Sequence, residues 1–238
     1  MSEHLRRVCQ ERPQLPYVLP LIVFGAFLGL ETYWPEAKWW LYPVKTLATG
    51  ICLWLLRREF KGLSWRWSWL GILIGVVVLV QWVGMEEVFK AYWHYPALPM
   101  VGGETDWSME KSFNPEVHFG GRNPSFWIWI AIRMAGAVIV VPIMEELFWR
   151  GFMLRLFESR FRYFEKIELG EFGWYSCLAV AGLFALVHPW YISAFVCALI
   201  YNWLIYKTKS ILACVVAHGL TNLLLWVYIL YANAWWLS

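Results

Sequence analysis

The chain has 238 residues, of which 60% are hydrophobic and only 16% are charged, with a formal net charge of +3. A soluble globular domain is nearer 25% charged, so this composition excludes an ordinary soluble domain, and we expect no nucleic-acid partner. Several apolar stretches reach the roughly 20 residues that a helix needs to cross a bilayer. The sequence therefore predicts an all-α, polytopic transmembrane helix bundle that forms a single domain over residues 1–238.

Seven spans are predicted, and a break near Pro142 would add an eighth span or a re-entrant element. The spans are 17–34, 39–56, 67–84, 126–153, 174–188, 190–206 and 211–231. Trp and Tyr are concentrated at the span ends, as in an interfacial aromatic belt. No small-residue cleavage site follows the charged N-terminal segment, so the first span is expected to be a retained helix.

The charges of the loops predict the orientation. With the N-terminus inside, thirteen Lys and Arg residues fall in inner segments and four in outer segments. This bias predicts a multi-pass protein of the cell inner (plasma) membrane with a cytoplasmic N-terminus. The longest connection, residues 85–124, is rich in Gly, Pro and acidic residues. It is predicted to be an outer, extramembrane loop.

Few acidic residues and histidines lie well inside the predicted spans. They are Glu145 and Glu146 among 17 acidic residues, and His188 and His218 among five histidines; Asn222 lies one turn beyond His218. Ionisable groups at such depth cost at least a few kcal/mol on insertion scales and usually line a functional cavity. At 1.5 Å per residue, Glu145, His188 and His218 lie about 15, 22 and 12 Å from the inner surface, so we expect them at a similar level.

Helix geometry separates the two glutamates. Glu146 and Arg150 are four residues apart with the acid first, which is the favourable order for an ion pair on a helix. Adjacent residues point about 100° apart, so Glu145 and Glu146 cannot both face one pocket squarely. Glu145 is therefore predicted to be the unpaired carboxylate.

The remaining polar groups suit water activation and acyl-transfer chemistry. A buried Glu145 can act as a general base near neutral pH, and a histidine can share that task. His218 and the amide of Asn222 lie on one helix face and can donate hydrogen bonds to an oxyanion. Glu145, His188 and His218 could also hold Zn²⁺ with an open position for water. The HExxH spacing of zinc peptidases is absent, so the metal stays an open alternative.

Three motifs occur in order along the chain, and they are Glu145-Glu146-x-x-x-Arg150, Phe184-x-x-x-His188 and His218-x-x-x-Asn222. Together they resemble the three motifs of the CPBP family of intramembrane proteases, which includes the type II CAAX prenyl endopeptidases and the Abi-type bacterial proteins. The resemblance covers about residues 125–231, which would form the catalytic core. It implies as partners a membrane-bound protein or peptide substrate and the lipid bilayer.

The resemblance also implies roles for the site residues. Glu145, assisted by His188, would activate water, and His218 with Asn222 would stabilise the oxyanion. Three further residues would shape the site or pack beside it, namely Glu146, Arg150 and Phe184. Both a metal-dependent and a metal-free glutamate mechanism are compatible with the family, so the resemblance leaves Zn²⁺ open.

A finer pattern runs through residues 201–218. It is Tyr201-Asn202-x-Leu204-x-Tyr206-x-Thr208-x-Ser210, followed by Ala213-Cys214-x-x-Ala217-His218. It resembles bacterial CAAX-protease-related proteins found with exosortase/PEP-CTERM sorting systems. The chain departs from the family at Asn202 and Lys209, where many members have Gly, and at Pro189. Because the residue before a proline tends to leave a helix, His188 is expected near a helix end.

Two other functions stay open at this stage. The first is a non-proteolytic membrane scaffold or chaperone for a protein-sorting partner, whose cellular phenotype would survive Glu145→Ala. The second is a transporter with a proton relay through Glu145 and His188, since intramembrane Glu and His residues occur in such relays. The sequence shows no internal repeat of the kind common in transporters, which counts mildly against the transporter hypothesis.

Overall fold

The computed structural model describes residues 3–60, 62–92 and 114–237. Over these ranges the chain forms nine helices and no β-strand, which confirms the all-α class. The helices are α1 (Glu3–Glu11), α2 (Leu15–Tyr33), α3 (Lys38–Leu56), α4 (Trp69–Tyr92), α5 (Pro115–His118), α6 (Pro124–Glu158), α7 (Trp174–Leu186), α8 (Tyr191–Thr208) and α9 (Ile211–Ala232). Helix α6 runs through Pro142 without a break. It contains two π-helical stretches, Gly136–Val140 and Leu147–Met153.

Each of the seven predicted spans corresponds to one helix, from α2 to α4 and from α6 to α9. Within the described ranges, four of them are long and apolar enough to cross a membrane by length and composition: α2, α4, α6 and α9. Helix α7 is apolar but shorter. The fold is therefore a helical membrane bundle, and the total of seven to eight spans stays a prediction.

Local sequence signals set the ends of the helices around the site. Helix α6 begins at Pro124, and the side chain of Asn123 accepts a hydrogen bond from the Phe126 N–H at 3.0 Å, as expected of an N-cap. Helix α8 is followed by Lys209, whose φ of 51° lies in the left-handed region, where glycine carries the least strain. The Lys209 ammonium donates to the Gly170 carbonyl oxygen. This backbone gives a physical reason for the glycine that many CPBP members have here.

Helices α4 and α9 pack closely because α4 carries Gly71 and Gly75 on the shared face. A Cβ atom on Gly71 would lie 2.6 Å from the Ala213 carbonyl oxygen, and one on Gly75 would lie 2.8 Å from the Ala217 carbonyl oxygen. Small residues permit this close approach of helix backbones in membranes. The contact fixes α9, and with it His218, against the rest of the bundle.

Gly71→Ala is expected to destabilise the protein by about 1–3 kcal/mol, because the added methyl group must push α4 and α9 apart. The matched control is Gly84→Ala in the same helix, where a Cβ would meet nothing within 4 Å. That control should be neutral or stabilising by up to about 1 kcal/mol, since Ala favours helix over Gly. Thermal unfolding in detergent measures both. Equal melting temperatures for the two variants would contradict the close packing.

The structure corrects the predicted loop at residues 85–124. Helix α4 continues to Tyr92, eight residues beyond the predicted span, and residues 93–113 lie outside the described residues. The continuation buries Glu86 completely, where the Ser193 hydroxyl donates to its carboxyl group. The prediction that Glu145 and Glu146 are the only acids deep inside the helices is therefore wrong, because the acidic pair after Gly84 resembles a helix end in sequence.

Candidate functional site

Glu146 is the polar centre of the bundle and is fully buried. Its Oε1 accepts a hydrogen bond from Arg150 Nη1 at 3.1 Å, the ion pair predicted from their spacing. The same oxygen lies 2.9 Å from Nδ1 of His218, which α9 brings in from 72 residues further along the chain. Glu146 therefore joins the first motif to the third, a contact that the sequence did not predict.

Arg150 contacts two other helices, α7 and α8. It is fully buried, and its Nη2 donates to the Ala198 carbonyl oxygen on α8 at 3.4 Å. Its guanidinium carbon lies 5.3 Å from the ring centroid of Phe184 and 5.4 Å from that of Tyr201, within range of cation–π attraction. Phe184 thus packs against Arg150.

The contact with Glu146 determines which ring nitrogen of His218 carries a hydrogen. Glu146 is the ion-pair partner of Arg150, and the carboxylate of such a pair only accepts hydrogen bonds. Nδ1 of His218 therefore carries a hydrogen, and Nε2 can donate to an oxyanion only when the ring is the doubly protonated imidazolium. Such an imidazolium would also balance the charges of Arg150, Glu146 and Glu145 to zero, which lowers the cost of burying them.

Glu145 differs from its neighbour in its partners: Oε1 of Glu146 is bound by Arg150 and His218, whereas neither of these residues contacts Glu145. The residue is half-buried, and its Oε2 makes no hydrogen bond within the described part of the chain. Buried polar atoms are nearly always hydrogen-bonded in folded proteins, and an exception calls for an explanation. A water molecule or a substrate group at this oxygen would provide one.

His188 lies in the turn between α7 and α8, because α7 ends at Leu186 and α8 begins at Tyr191. The expected helix end is confirmed, and the span predicted to reach residue 188 is two residues too long. The ring stacks on Phe184 with centroids 4.3 Å apart, and Nδ1 lies 2.7 Å from the Phe184 carbonyl oxygen. A carbonyl oxygen only accepts, so Nδ1 carries a hydrogen. In the neutral ring, Nε2 therefore has a free lone pair.

Asn222 is held by the first π-helical stretch of α6. Its Nδ2 donates to the Ala137 carbonyl oxygen at 2.8 Å, and the second hydrogen of the amide nitrogen stays available to another acceptor. One turn earlier, a Cβ on Gly219 would lie 2.7 Å from the Val138 carbonyl oxygen. The π-helical stretch thus contacts α9 at Gly219 and Asn222, and π-bulges are frequent at functional sites.

Tyr201 is a site neighbour that sequence reasoning missed as such. Its ring tilts over His218 with centroids 5.6 Å apart, and its hydroxyl donates to Thr221 Oγ1 at 2.8 Å. The Thr221 hydroxyl lies 2.9 Å from the Gly75 carbonyl oxygen. Tyr201 and Thr221 carry no charge at neutral pH, so charge alone does not mark them in the sequence. Their signal is that both are hydroxyl-bearing residues inside predicted spans.

The predicted zinc ligands do not come together as a ligand set. No group of three or more His, Cys, Asp or Glu side chains in the described ranges has the arrangement of a metal site. Nδ1 of His218 is used by Glu146, and Nδ1 of His188 is used by a carbonyl oxygen. Nε2 of both rings could still bind a metal, but the side chains of Glu145, His188 and His218 are not gathered as a Zn²⁺ ligand set in this geometry.

An apolar cavity of about 520 Å³ lies between α3 and α6, next to the polar centre. Its lining includes Gly50, Trp54, Phe60, Ile143 and Leu147, and it includes none of the seven candidate residues. The cavity therefore adjoins the helix that carries the glutamates without being the site. The polar candidate residues lie on α6, on α9 and in the turn before α8.

Residues 126–224 match the family model described as "Type II CAAX prenyl endopeptidase Rce1-like". All seven candidate residues lie within the matched stretch. None of these comparisons tests the finer resemblance to proteins of exosortase systems. No curated protein and no solved structure matches the chain.

Proposed function

We propose that this protein is an intramembrane endopeptidase with a glutamate-dependent mechanism. The premise is that residues 126–224 match the Rce1-like family of type II CAAX prenyl endopeptidases. The family and the apolar helices make it a multi-pass membrane protein whose substrate is a membrane-associated protein. The observation that supports the mechanism best is that Glu145 has a buried, unpartnered Oε2 and is bound by neither Arg150 nor His218. Glu145 lies beside a glutamate whose charge is already engaged by Arg150 and His218.

In the proposed reaction, Glu145 and Nε2 of His188 orient a water molecule between them. Glu145 takes a proton as the water oxygen bonds to the carbonyl carbon of the scissile peptide. Nε2 of the His218 imidazolium and the second amide hydrogen of Asn222 donate to the oxyanion. The proton then passes from Glu145 to the peptide nitrogen as the C–N bond breaks, which yields a new carboxylate and a new amine.

The orientation is part of the proposal. The excess of positive charge in the predicted inner loops supports a cytoplasmic N-terminus and a location in the inner (plasma) membrane. The site would then lie in the inner half to the middle of the membrane. A substrate would reach it from within the bilayer or from the cytoplasmic surface.

Hydrolysis by direct attack of water predicts an isotopic signature. The purified protein in proteoliposomes, given membrane-anchored peptides in H₂¹⁸O, should release fragments that carry one ¹⁸O atom in the new C-terminal carboxylate, as mass spectrometry detects. Peptides with and without a prenylated cysteine compare the two substrate classes. If neither class is cleaved and Glu145→Ala leaves the cellular phenotype intact, the proteolytic function is contradicted and the scaffold is supported.

A further inference from the structure

Glu86 is a buried acidic residue to which the proposed reaction gives no part. It lies on α4 and is fully buried, as is Ser193 in the first turn of α8. The Ser193 hydroxyl donates to Glu86 Oε1, and Gln81 Nε2 donates to the Ser193 carbonyl oxygen at 3.2 Å. Helix α4 therefore binds Ser193 at two points, through its side chain and through its backbone.

The position of this contact suits a carboxyl group. Helix α8 begins after Trp190, and Ser193 lies in its first turn. The N–H groups of a first helical turn and the positive end of the helix dipole favour an acidic group nearby. Glu86 supplies that group from another helix, so the start of α8 is tied to α4.

The same face of α4 also contacts the ring of His188. Trp82 lies one turn before Glu86, and its ring meets the His188 ring edge-on with centroids 6.4 Å apart. Phe184 stacks on the His188 ring at 4.3 Å. His188 is thus placed by two aromatic rings, and its backbone lies only five residues before the serine that Glu86 holds.

We propose that Glu86 is a positioning residue for His188: through Ser193 it fixes the turn between α7 and α8, and so it sets the direction of Nε2. This role rests on the proposed function only for its effect on catalysis. Its structural part concerns the placement of one histidine ring, which can be measured without a substrate. Replacement of Glu86 by an apolar residue should release the turn and expose the ring.

The test measures the reaction of His188 with diethyl pyrocarbonate, resolved by peptide mass spectrometry on the full-length protein in proteoliposomes. Glu86→Leu should speed modification of His188 several-fold. His118, stacked on Trp39 at 3.7 Å, serves as the internal reference. Glu86→Gln keeps an oxygen acceptor for the Ser193 hydroxyl, and it should react like the wild type.

Glu87→Leu is the matched control, since Glu87 is the exposed neighbour that accepts a hydrogen bond from Tyr228 instead. It should leave the labelling of His188 unchanged. Where cleavage is measured, Glu86→Leu should lower kcat about 10- to 100-fold with KM nearly unchanged, as expected when a reacting group is misplaced. Glu86→Gln should restore most of the rate.

Ser193→Ala removes the same hydrogen bond with a smaller change of volume, and it replaces Glu86→Leu if that variant does not fold. Wild-type labelling of His188 in both variants would overturn the inference. Faster labelling in a protein whose wild type cleaves no peptide would support the placement of His188 by Glu86 while contradicting the proposed function. The experiment therefore separates a failure of the proposed placement of His188 from a failure of the proposed proteolytic function.

Discussion

Glu145→Gln is expected to lower kcat by about 10²–10⁴-fold, because an amide cannot take a proton from the attacking water. The substitution hardly changes the shape of the side chain, and Oε2 of Glu145 has no hydrogen-bond partner to lose in the described part of the chain. KM should therefore change little, and the melting temperature should stay within the range of a neutral substitution. Steady-state cleavage of a membrane-anchored peptide in proteoliposomes measures kcat and KM.

Glu87→Gln provides the control for this experiment, since it makes the same chemical change at an exposed site on α4. It should cleave at the wild-type rate. A Glu145→Gln protein as active as this control would contradict Glu145 as the base. The carboxylate–imidazole pair of Glu146 and His218 would then be the next candidate, since a histidine oriented by a carboxylate is a common general base.

The part of the structure that the sequence could predict is the part set by local physics. Hydrophobic length places each helix, since a span needs about 20 apolar residues. The i,i+4 spacing on a helix places Arg150 against Glu146, which the structure bears out at 3.1 Å. Pro189 ends the helix before His188 for a steric reason that involves only neighbouring residues. None of these inferences needs knowledge of how the helices pack.

The contacts that the sequence could not predict join residues far apart in the chain. His218 and Glu146 are 72 residues apart, and Ser193 and Glu86 are 107 apart. Counting residues from a membrane surface gives the depth of a side chain and not the direction in which its helix is turned. That direction depends on packing, as in the close approach of α4 to α9 at Gly71. For this reason, three motifs expected at a similar depth in the membrane predicted a site but not the hydrogen bonds between its residues.

Arg150→Leu is expected to destabilise the protein by about 3–5 kcal/mol, because it removes the permanently charged partner of the fully buried Glu146. The change also removes the hydrogen bond to the Ala198 carbonyl oxygen and the contacts of the guanidinium with Phe184 and Tyr201. Thermal or denaturant unfolding in detergent measures the loss. Arg57→Leu is the matched control, since Arg57 is exposed and exposed substitutions usually stay within about 0.5 kcal/mol.

The double variant Glu146→Leu/Arg150→Leu separates stability from catalysis. Replacing both members of a buried pair by apolar residues is often neutral or stabilising, so the double variant should recover most of the stability that Arg150→Leu loses. It should not recover cleavage, because His218 then lacks the carboxylate that orients Nδ1 and favours the imidazolium. A double variant as unstable as Arg150→Leu would show that the pair does more than neutralise charge. A double variant with wild-type kcat would contradict the proposed role of Glu146 in holding His218.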